Sequence, residues 1–326
     1  MQAVQYAALG MPSEMVEAVT LADPPAPGSG EVVLRMVAAP IHPADLLTIA
    51  GDYGVLPPLP AVPGVEGVGR VEQLGADVDH LRPGDLVLLP MGRGTWCERM
   101  TARAAGLFAL PADGDPMQLA MASANPATAY VMLRHFVTLA PGEWAIQNAA
   151  NSAVGQYLAT LARAAGWRTV SVVRRAEAAA VAAAAGADLV LVDGPDLAAR
   201  VAEATGGAEL ALAIDAVGGD ATLRLADCLA EGGTVVNYGL LSGEPCRVSA
   251  QATVFRDVRL RGFWLARWVR EASREERTAV FREVVARVVA GDLRSTVEAT
   301  YLLGEAKAAV GHAMRGGRGG KILFVT

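Results

Sequence analysis

At 326 residues the chain is too long for one small core and points to about two domains at roughly 150 residues each, and 52% hydrophobic against 19% charged residues lets it fold without disulfide staples. A formal charge of −6 with no Lys/Arg block excludes a general nucleic-acid-binding role, and the absence of any run of about 18 uncharged apolar residues excludes a helical membrane span. Three widely spaced cysteines, Cys97, Cys228 and Cys246, exclude a disulfide framework.

The N-terminal stretch lacks the basic start and apolar core of a signal peptide, and its acidic residues argue against a transit peptide, so the expected compartment is the cytosol. The first part of the chain then reads as β-rich. Strands are expected at EVVLRMVAA (31–39), GVGRVEQLG (67–75) and DLVLLP (85–90), with Pro83-Gly84-Asp85 as the turn before the third. Short strands between Pro/Gly turns predict an antiparallel, barrel-like unit. Cys97 lies near a Gly-rich turn; it reads as a small packing residue, with a reactive thiol as the alternative.

The texture changes near residue 115. Asp115-Pro116 suits a helix start, and Asn125-Pro126 starts a second helix that runs to Phe136. An alternating series follows: strands at 143–148, 169–173, 187–193, 209–217, 234–239 and 258–265, with helices at 153–165, 176–185, 197–205 and 221–230 between them. Short apolar runs alternating with helices predict a doubly wound parallel sheet. Ser273 and Glu276 form a capping box for a last long helix whose apolar face is Phe281, Val284, Val285, Val288 and Val289, stopping at Gly291. Strands at 296–303 and 321–326 suit the β-rich unit. The expected organisation is therefore a β-rich domain of 1–122 and 292–326, with a dinucleotide domain, 123–291, inserted into it.

Ligands of open α/β sheets bind where strands end and helices begin. The first such crossover is Asn148-Ala149-Ala150-Asn151-Ser152-Ala153-Val154-Gly155. Only Gly155 occupies a fingerprint-like place, but a strand precedes the turn and a helix follows it, so backbone amides and the helix dipole can meet a pyrophosphate; the alternative is an ordinary strand–helix turn. The second strand ends Val173-Arg174-Arg175, with no acid for a ribose 2′-OH. Two guanidinium groups there suit a 2′-phosphate, hence NADPH, or else are solvated helix-start arginines. Gly218-Gly219 and Tyr238-Gly239 follow later strands and let backbone approach a nicotinamide, or are turn glycines. A catalytic zinc needs about three protein ligands. None of His42, His80, His135 and His312 has a Cys or His at ligand spacing, so metal-free chemistry is expected.

Several stretches resemble medium-chain dehydrogenase/reductases, in particular their zinc-free branch of mitochondrial-type trans-2-enoyl-CoA/ACP (enoyl thioester) reductases. They are HPADLLTIAGDYGVLPPLPAVPGVEGVG (42–69), NPATAYVML (125–133), QNAANSAVGQ (147–156), VVRR (172–175) and FRDVRLRGFWLARW (255–268), and they span nearly the whole chain. The resemblance implies a GroES-like catalytic domain carrying an inserted Rossmann sheet, and NADPH-dependent reduction of the α,β double bond of a 2-enoyl thioester. It puts Tyr53 at the catalytic tyrosine, as proton donor or carbonyl-orienting group. It puts Asn148, Asn151, Ser152, Val154 and Gly155 in the pyrophosphate loop and Arg174 and Arg175 at the 2′-phosphate. It puts Thr128 and Tyr130 at a helix start beside the nicotinamide. Gly262, Phe263 and Trp264 fall on the nicotinamide and acyl-pocket side, on a strand that pairs across a homodimer two-fold. The implied partners are a small acyl thioester, on coenzyme A or on an acyl carrier protein, and a second copy of the chain. His42 stands where the family shows Asn, which leaves the substrate class open.

His42, Trp96 and Tyr130 are candidate pocket residues, with ordinary packing as the alternative for Trp96 and Trp264 and hydrogen bonding for His42. Arg261, Arg267 and Arg270 could greet coenzyme A phosphates or simply face solvent. Two other functions fit the same fold: an NADPH quinone or aldehyde-type reductase without dependence on Tyr53, and a noncatalytic NADPH-binding protein.

Overall fold

The computed structural model describes all residues, Met1–Thr326. It divides into two compact units, Met1–Ala124 with Ser273–Thr326, and Asn125–Ala272.

The first unit opens with β1 (Gln2–Gln5) and β2 (Glu17–Thr20), an antiparallel pair. Its central strand is β3 (Glu31–Pro40), flanked by antiparallel β4 (Val68–Leu74) and β6 (Arg99–Arg103), with β5 (Leu86–Leu88) outside β4. Strand β3 buries Val32, Leu34 and Met36 in a core shared with Trp96, Ile322 and Phe324. Between β3 and β4 lies the helix Pro43–Ala50. Proline at its first position fits a turn whose amide would be unpaired anyway, Asp45 accepts from the His42 amide at 2.7 Å, and left-handed Gly51 (φ 95°) ends it.

The second unit holds β7 (Trp144–Gln147), β8 (Arg168–Val173), β9 (Leu189–Val192), β10 (Leu210–Asp215), β11 (Thr234–Asn237) and β12 (Arg259–Gly262). They are parallel and ordered β12-β11-β10-β7-β8-β9. The order reverses between β7 and β10, the switch point at which doubly wound sheets open a crevice. Interior strands such as β7 are buried along their length because helices cover both faces, and the one polar residue of β7, Gln147, donates to Gly155 O and the Ser171 hydroxyl. Helices Ala153–Ala164, Ala179–Ala184, Leu197–Thr205 and Gly219–Asp227 make the crossovers.

The chain returns to the first unit through the helix Arg274–Ala290, then β13 (Val297–Tyr301) and β14 (Lys321–Val325); β14 runs antiparallel to β3 and carries β13 parallel on its other edge. Ser273 and Glu276 form the capping box and Gly291 closes the helix left-handed. Two sequence expectations change here. Val289 is exposed rather than buried with Val284, Val285 and Val288. The helix also falls within the first unit, where it contacts the short helix Pro116–Leu119 and Arg282 lies over the Phe108 ring at 5.6 Å. The unit boundary therefore falls at 272/273. Strands β1, β2 and β6 and the helices Pro43–Ala50 and Ala306–Met314 had no counterpart in the sequence reading. No helix is long and apolar enough to cross a membrane.

Candidate active site

In the second unit, the turn leaving β7 is built around its own backbone. The Asn148 amide donates to Ile214 O at 3.1 Å and the Ala150 amide to Val172 O at 3.2 Å, so the turn is stitched to both neighbouring strands. Ala149 takes φ 48°, a left-handed position that a non-glycine residue enters at a cost. Ser152 caps the helix Ala153–Ala164, its hydroxyl accepting from the Gly155 amide at 3.1 Å. The first amides of that helix, Ala153 and Val154, have no intrahelical acceptor and lie at the positive end of the helix dipole. Gly155 is there for packing: a Cβ would stand 2.7 Å from both Ala149 O and Ala150 Cα. Val154 is buried and Asn151 exposed.

Asn148 does not point outward. Its Nδ2 donates to Asp215 Oδ1 at 2.6 Å and its Oδ1 accepts from the Ala216 amide at 2.8 Å. Asp215, wholly buried at the end of β10, also accepts from the amides of Val217 and Gly218, from the Thr222 hydroxyl and from Asn237 Nδ2. Asn237 Nδ2 reaches Gly239 O at 2.9 Å as well, and Gly239 lies so close to the turn after β10 that a Cβ would meet Ala216 O at 2.6 Å. The Tyr238 hydroxyl bonds the Ser152 side chain, and burial pushes its pKa well up.

Arg174 and Arg175 are exposed immediately after β8. Thr128 and Tyr130 lie in the first half of the helix Asn125–His135, with the Arg134 guanidinium 3.9 Å from the centre of the Tyr130 ring. Phe263 follows β12, its amide donating to Asn237 O at 2.8 Å and its ring standing edge-on to Phe136; Trp264 caps the helix Leu265–Glu271. Arg261 lies over the Phe136 ring at 5.7 Å and Arg270 is paired with Glu271 at 3.5 Å, both guanidinium groups on the surface.

In the first unit the structure assembles a cluster that sequence reading resolved only as His42. His42 Nε2 and Glu66 Oε1 are 2.6 Å apart, and Glu66 Oε2 accepts from the Ser123 hydroxyl at 2.7 Å and the Ala124 amide at 2.6 Å. Burial pushes the neighbouring Asp45 carboxyl up to about 6 and the Lys321 amine down to about 8. Tyr6 has a buried hydroxyl with no hydrogen-bond partner, its pKa raised by burial and then by Asp45. Tyr53 is half-buried, in the loop that follows the helix Pro43–Ala50. Trp96 is core: it is fully buried, 5.0 Å from Phe324 between ring centres, with its indole N–H directed at Pro40 O. Cys97 is buried and its thiol pushed up to about 11, so the reactive-thiol alternative falls. No group of three or more His, Cys, Asp or Glu side chains is placed to hold a metal ion.

The second unit's chemistry fits a phosphorylated dinucleotide. Capped helix amides at the switch point suit a pyrophosphate, and two exposed guanidinium groups with no acid at the β8 tip suit a 2′-phosphate.

Comparison with known proteins agrees. Residues 28–120 match the alcohol dehydrogenase GroES-like domain and residues 153–286 the zinc-binding dehydrogenase family. The mitochondrial enoyl-[acyl-carrier-protein] reductase of Mus musculus is 39% identical over 293 residues, 87% of this chain and 76% of that protein. The chain belongs to the enoyl thioester reductase family of medium-chain dehydrogenase/reductases. Among solved structures, a putative NADPH:quinone reductase from Bacillus thuringiensis is 31% identical with a TM-score of 0.93, covering 100% of this chain and 98% of that one. The Etr1p complex with NADP and crotonyl-CoA is 26% identical with a TM-score of 0.87, covering 100% and 99%. The cytosolic expectation is overturned by this family: the mouse reductase and its frog, rat, human and Arabidopsis thaliana counterparts are all named mitochondrial. The N-terminal composition on which that expectation rested carries no weight against them.

Proposed function

We propose that this reductase uses NADPH to reduce the α,β double bond of a 2-enoyl thioester. The observation that carries the reading is the identity to enoyl-[acyl-carrier-protein] reductases along 87% of the chain, joined to a fold that matches a reductase solved with NADP and crotonyl-CoA.

When bound, the reduced nicotinamide supplies a hydride for the β-carbon. The chain's own groups do the rest. The Ala153 and Val154 amides and the Ser152 cap hold the pyrophosphate, and Arg174 and Arg175 grip the 2′-phosphate by charge-assisted hydrogen bonds. By the resemblance, Thr128, Tyr238, Gly239, Phe263 and Trp264 would border the nicotinamide half, and Tyr130 and His42 are assigned to the acyl side. A tyrosine hydroxyl donates as well as accepts, so Tyr53 can give a proton to the α-carbon as negative charge develops there, or hold the thioester oxygen by a hydrogen bond. The acyl group is carried by coenzyme A or by an acyl carrier protein.

Two copies of the chain pair through β12. All four of its residues are exposed, leaving an unpaired edge, and Val254 and Phe255 just before it are 70% and 75% exposed. Sedimentation at micromolar concentration should give twice the chain mass; a monomer would remove this part of the proposal.

A second reading, an NADPH:quinone reductase, is favoured by the 0.93 TM-score to the Bacillus thuringiensis protein. Steady-state NADPH oxidation with crotonyl-CoA and with a small quinone separates the two. Turnover of crotonyl-CoA is expected; turnover of the quinone alone would overturn the thioester reading.

A further inference from the structure

The Asp215 carboxylate is buried without a cation beside it. Its charge is balanced instead by five donors: Asn148 Nδ2 (2.6 Å), the Val217 amide (2.9 Å) and the Gly218 amide (3.2 Å) on Oδ1, and the Thr222 hydroxyl (2.6 Å) and Asn237 Nδ2 (2.9 Å) on Oδ2. A neutral side chain could not satisfy them all, since an amide offers one oxygen and two hydrogens. Buried hydrogen-bonded charges can fix one conformation where apolar groups would leave several.

What Asp215 holds is specific. Asn148 opens the turn after β7, Val217 and Gly218 form the turn after β10, and Asn237 with Gly239 opens the turn after β11. These are the three strand-end turns around the sheet's switch point. Because Asn148 is clamped at both ends of its amide, the adjacent left-handed Ala149 is held in place and the amides beyond it keep their direction. The contact of Gly239 with Ala216 O fixes the spacing between the second and third turns.

We propose that Asp215 is a positioning residue for the nicotinamide nucleotide: one carboxylate sets the relative placement of the three turns that receive it. The proposal rests on the NADPH reading above. Asp215 acts through Asn148, the amides of the β10 turn and Asn237, without touching a reacting atom itself.

The test compares Asp215→Asn with Val201→Ala, which opens a cavity in the same unit's core away from the network. NADPH binding is followed by the fluorescence of the bound nucleotide, alongside thermal unfolding and the KM for crotonyl-CoA at saturating NADPH. Both variants should lose thermal stability. Asp215→Asn should also raise the Kd for NADPH at least tenfold and leave the KM for crotonyl-CoA within about twofold, while Val201→Ala binds NADPH as the parent does. Should Asp215→Asn not fold, Asn237→Ala removes one arm of the network and should raise the Kd at least threefold. An unchanged NADPH Kd in folded Asp215→Asn, or in Asn237→Ala if it must stand in, overturns the proposal. Failure of the parent protein to bind NADPH overturns the underlying reading instead.

Discussion

The imidazole of His42 meets the carboxylate of Glu66 at 2.6 Å, with the two side chains only 4% and 0% exposed. The other carboxylate oxygen accepts from Ser123 and Ala124, so every face of the buried acid is used. Glu66→Gln removes the buried charge and leaves one acceptor oxygen where the parent has two, so His42 keeps a partner there only in the tautomer whose Nε2 accepts. The expected cost is about 3 kcal/mol, the range for a buried charge network left with a mismatched member. His42→Asn is too short to reach Oε1 and should cost about 1–3 kcal/mol. Urea unfolding of both variants checks this; if Glu66→Gln unfolds at the parent midpoint, the network is not a stabilising one.

Tyr53→Phe keeps the ring and its packing and removes only the hydroxyl. If that hydroxyl manages the proton or the thioester oxygen, the chemical step should slow by roughly 10²–10⁴-fold. NADPH affinity should stay within about twofold. Single-turnover kinetics and a nucleotide titration read the two quantities separately, and a loss confined to nucleotide affinity would make Tyr53 a structural residue.

The contrast between what was legible and what was not follows from range. The parallel sheet could be read because each strand is a local apolar run, as in β7 and β10, closed by a helix start such as Ser152. The helix Arg274–Ala290 announced both ends through Ser273, Glu276 and Gly291. Its valine stripe marks a buried face without specifying which unit receives it, and the helix falls in the first unit. Glu66 carries no signal of its own in the sequence. Its partners lie 24 and 57 residues away, and those of Asp215 lie up to 67 away, so no local pattern carries either network. Trp96 invited a pocket role by its size, yet a large apolar ring fills a core equally well, and Phe324, far along the chain, decides the matter.

Arg174→Ala with Arg175→Ala should raise the Kd for NADPH at least 30-fold and leave NADH within about threefold, because only the 2′-phosphate of NADPH offers oxygens for two guanidinium groups. Both side chains are exposed, so folding should be unaffected, and an unchanged unfolding temperature serves as the control. Equal weakening of both nucleotides would remove the 2′-phosphate assignment.

Asp45 sets a pH dependence whose sign can be worked out. Burial raises its carboxyl from 3.8 to about 6, against the opposing attraction of His42. The folded protein therefore holds this proton more tightly than the unfolded chain does. The stabilising contribution is complete below about pH 4 and is lost as pH rises through about 6. Asn at this position stays neutral and still accepts from the His42 amide through its side-chain oxygen. Asp45→Asn should accordingly match the parent near pH 4 and gain on it as pH rises, levelling off above pH 6 at up to about 3 kcal/mol for a shift of roughly two units. Lys321 works in a different window. Its amine is lowered to about 8, so it adds stability only as pH rises from there toward its ordinary value. Thermal unfolding of the two proteins between pH 4 and 7.5 thus isolates Asp45. A gap that is constant across that range, or that closes with rising pH, would show that the buried carboxyl carries no such cost.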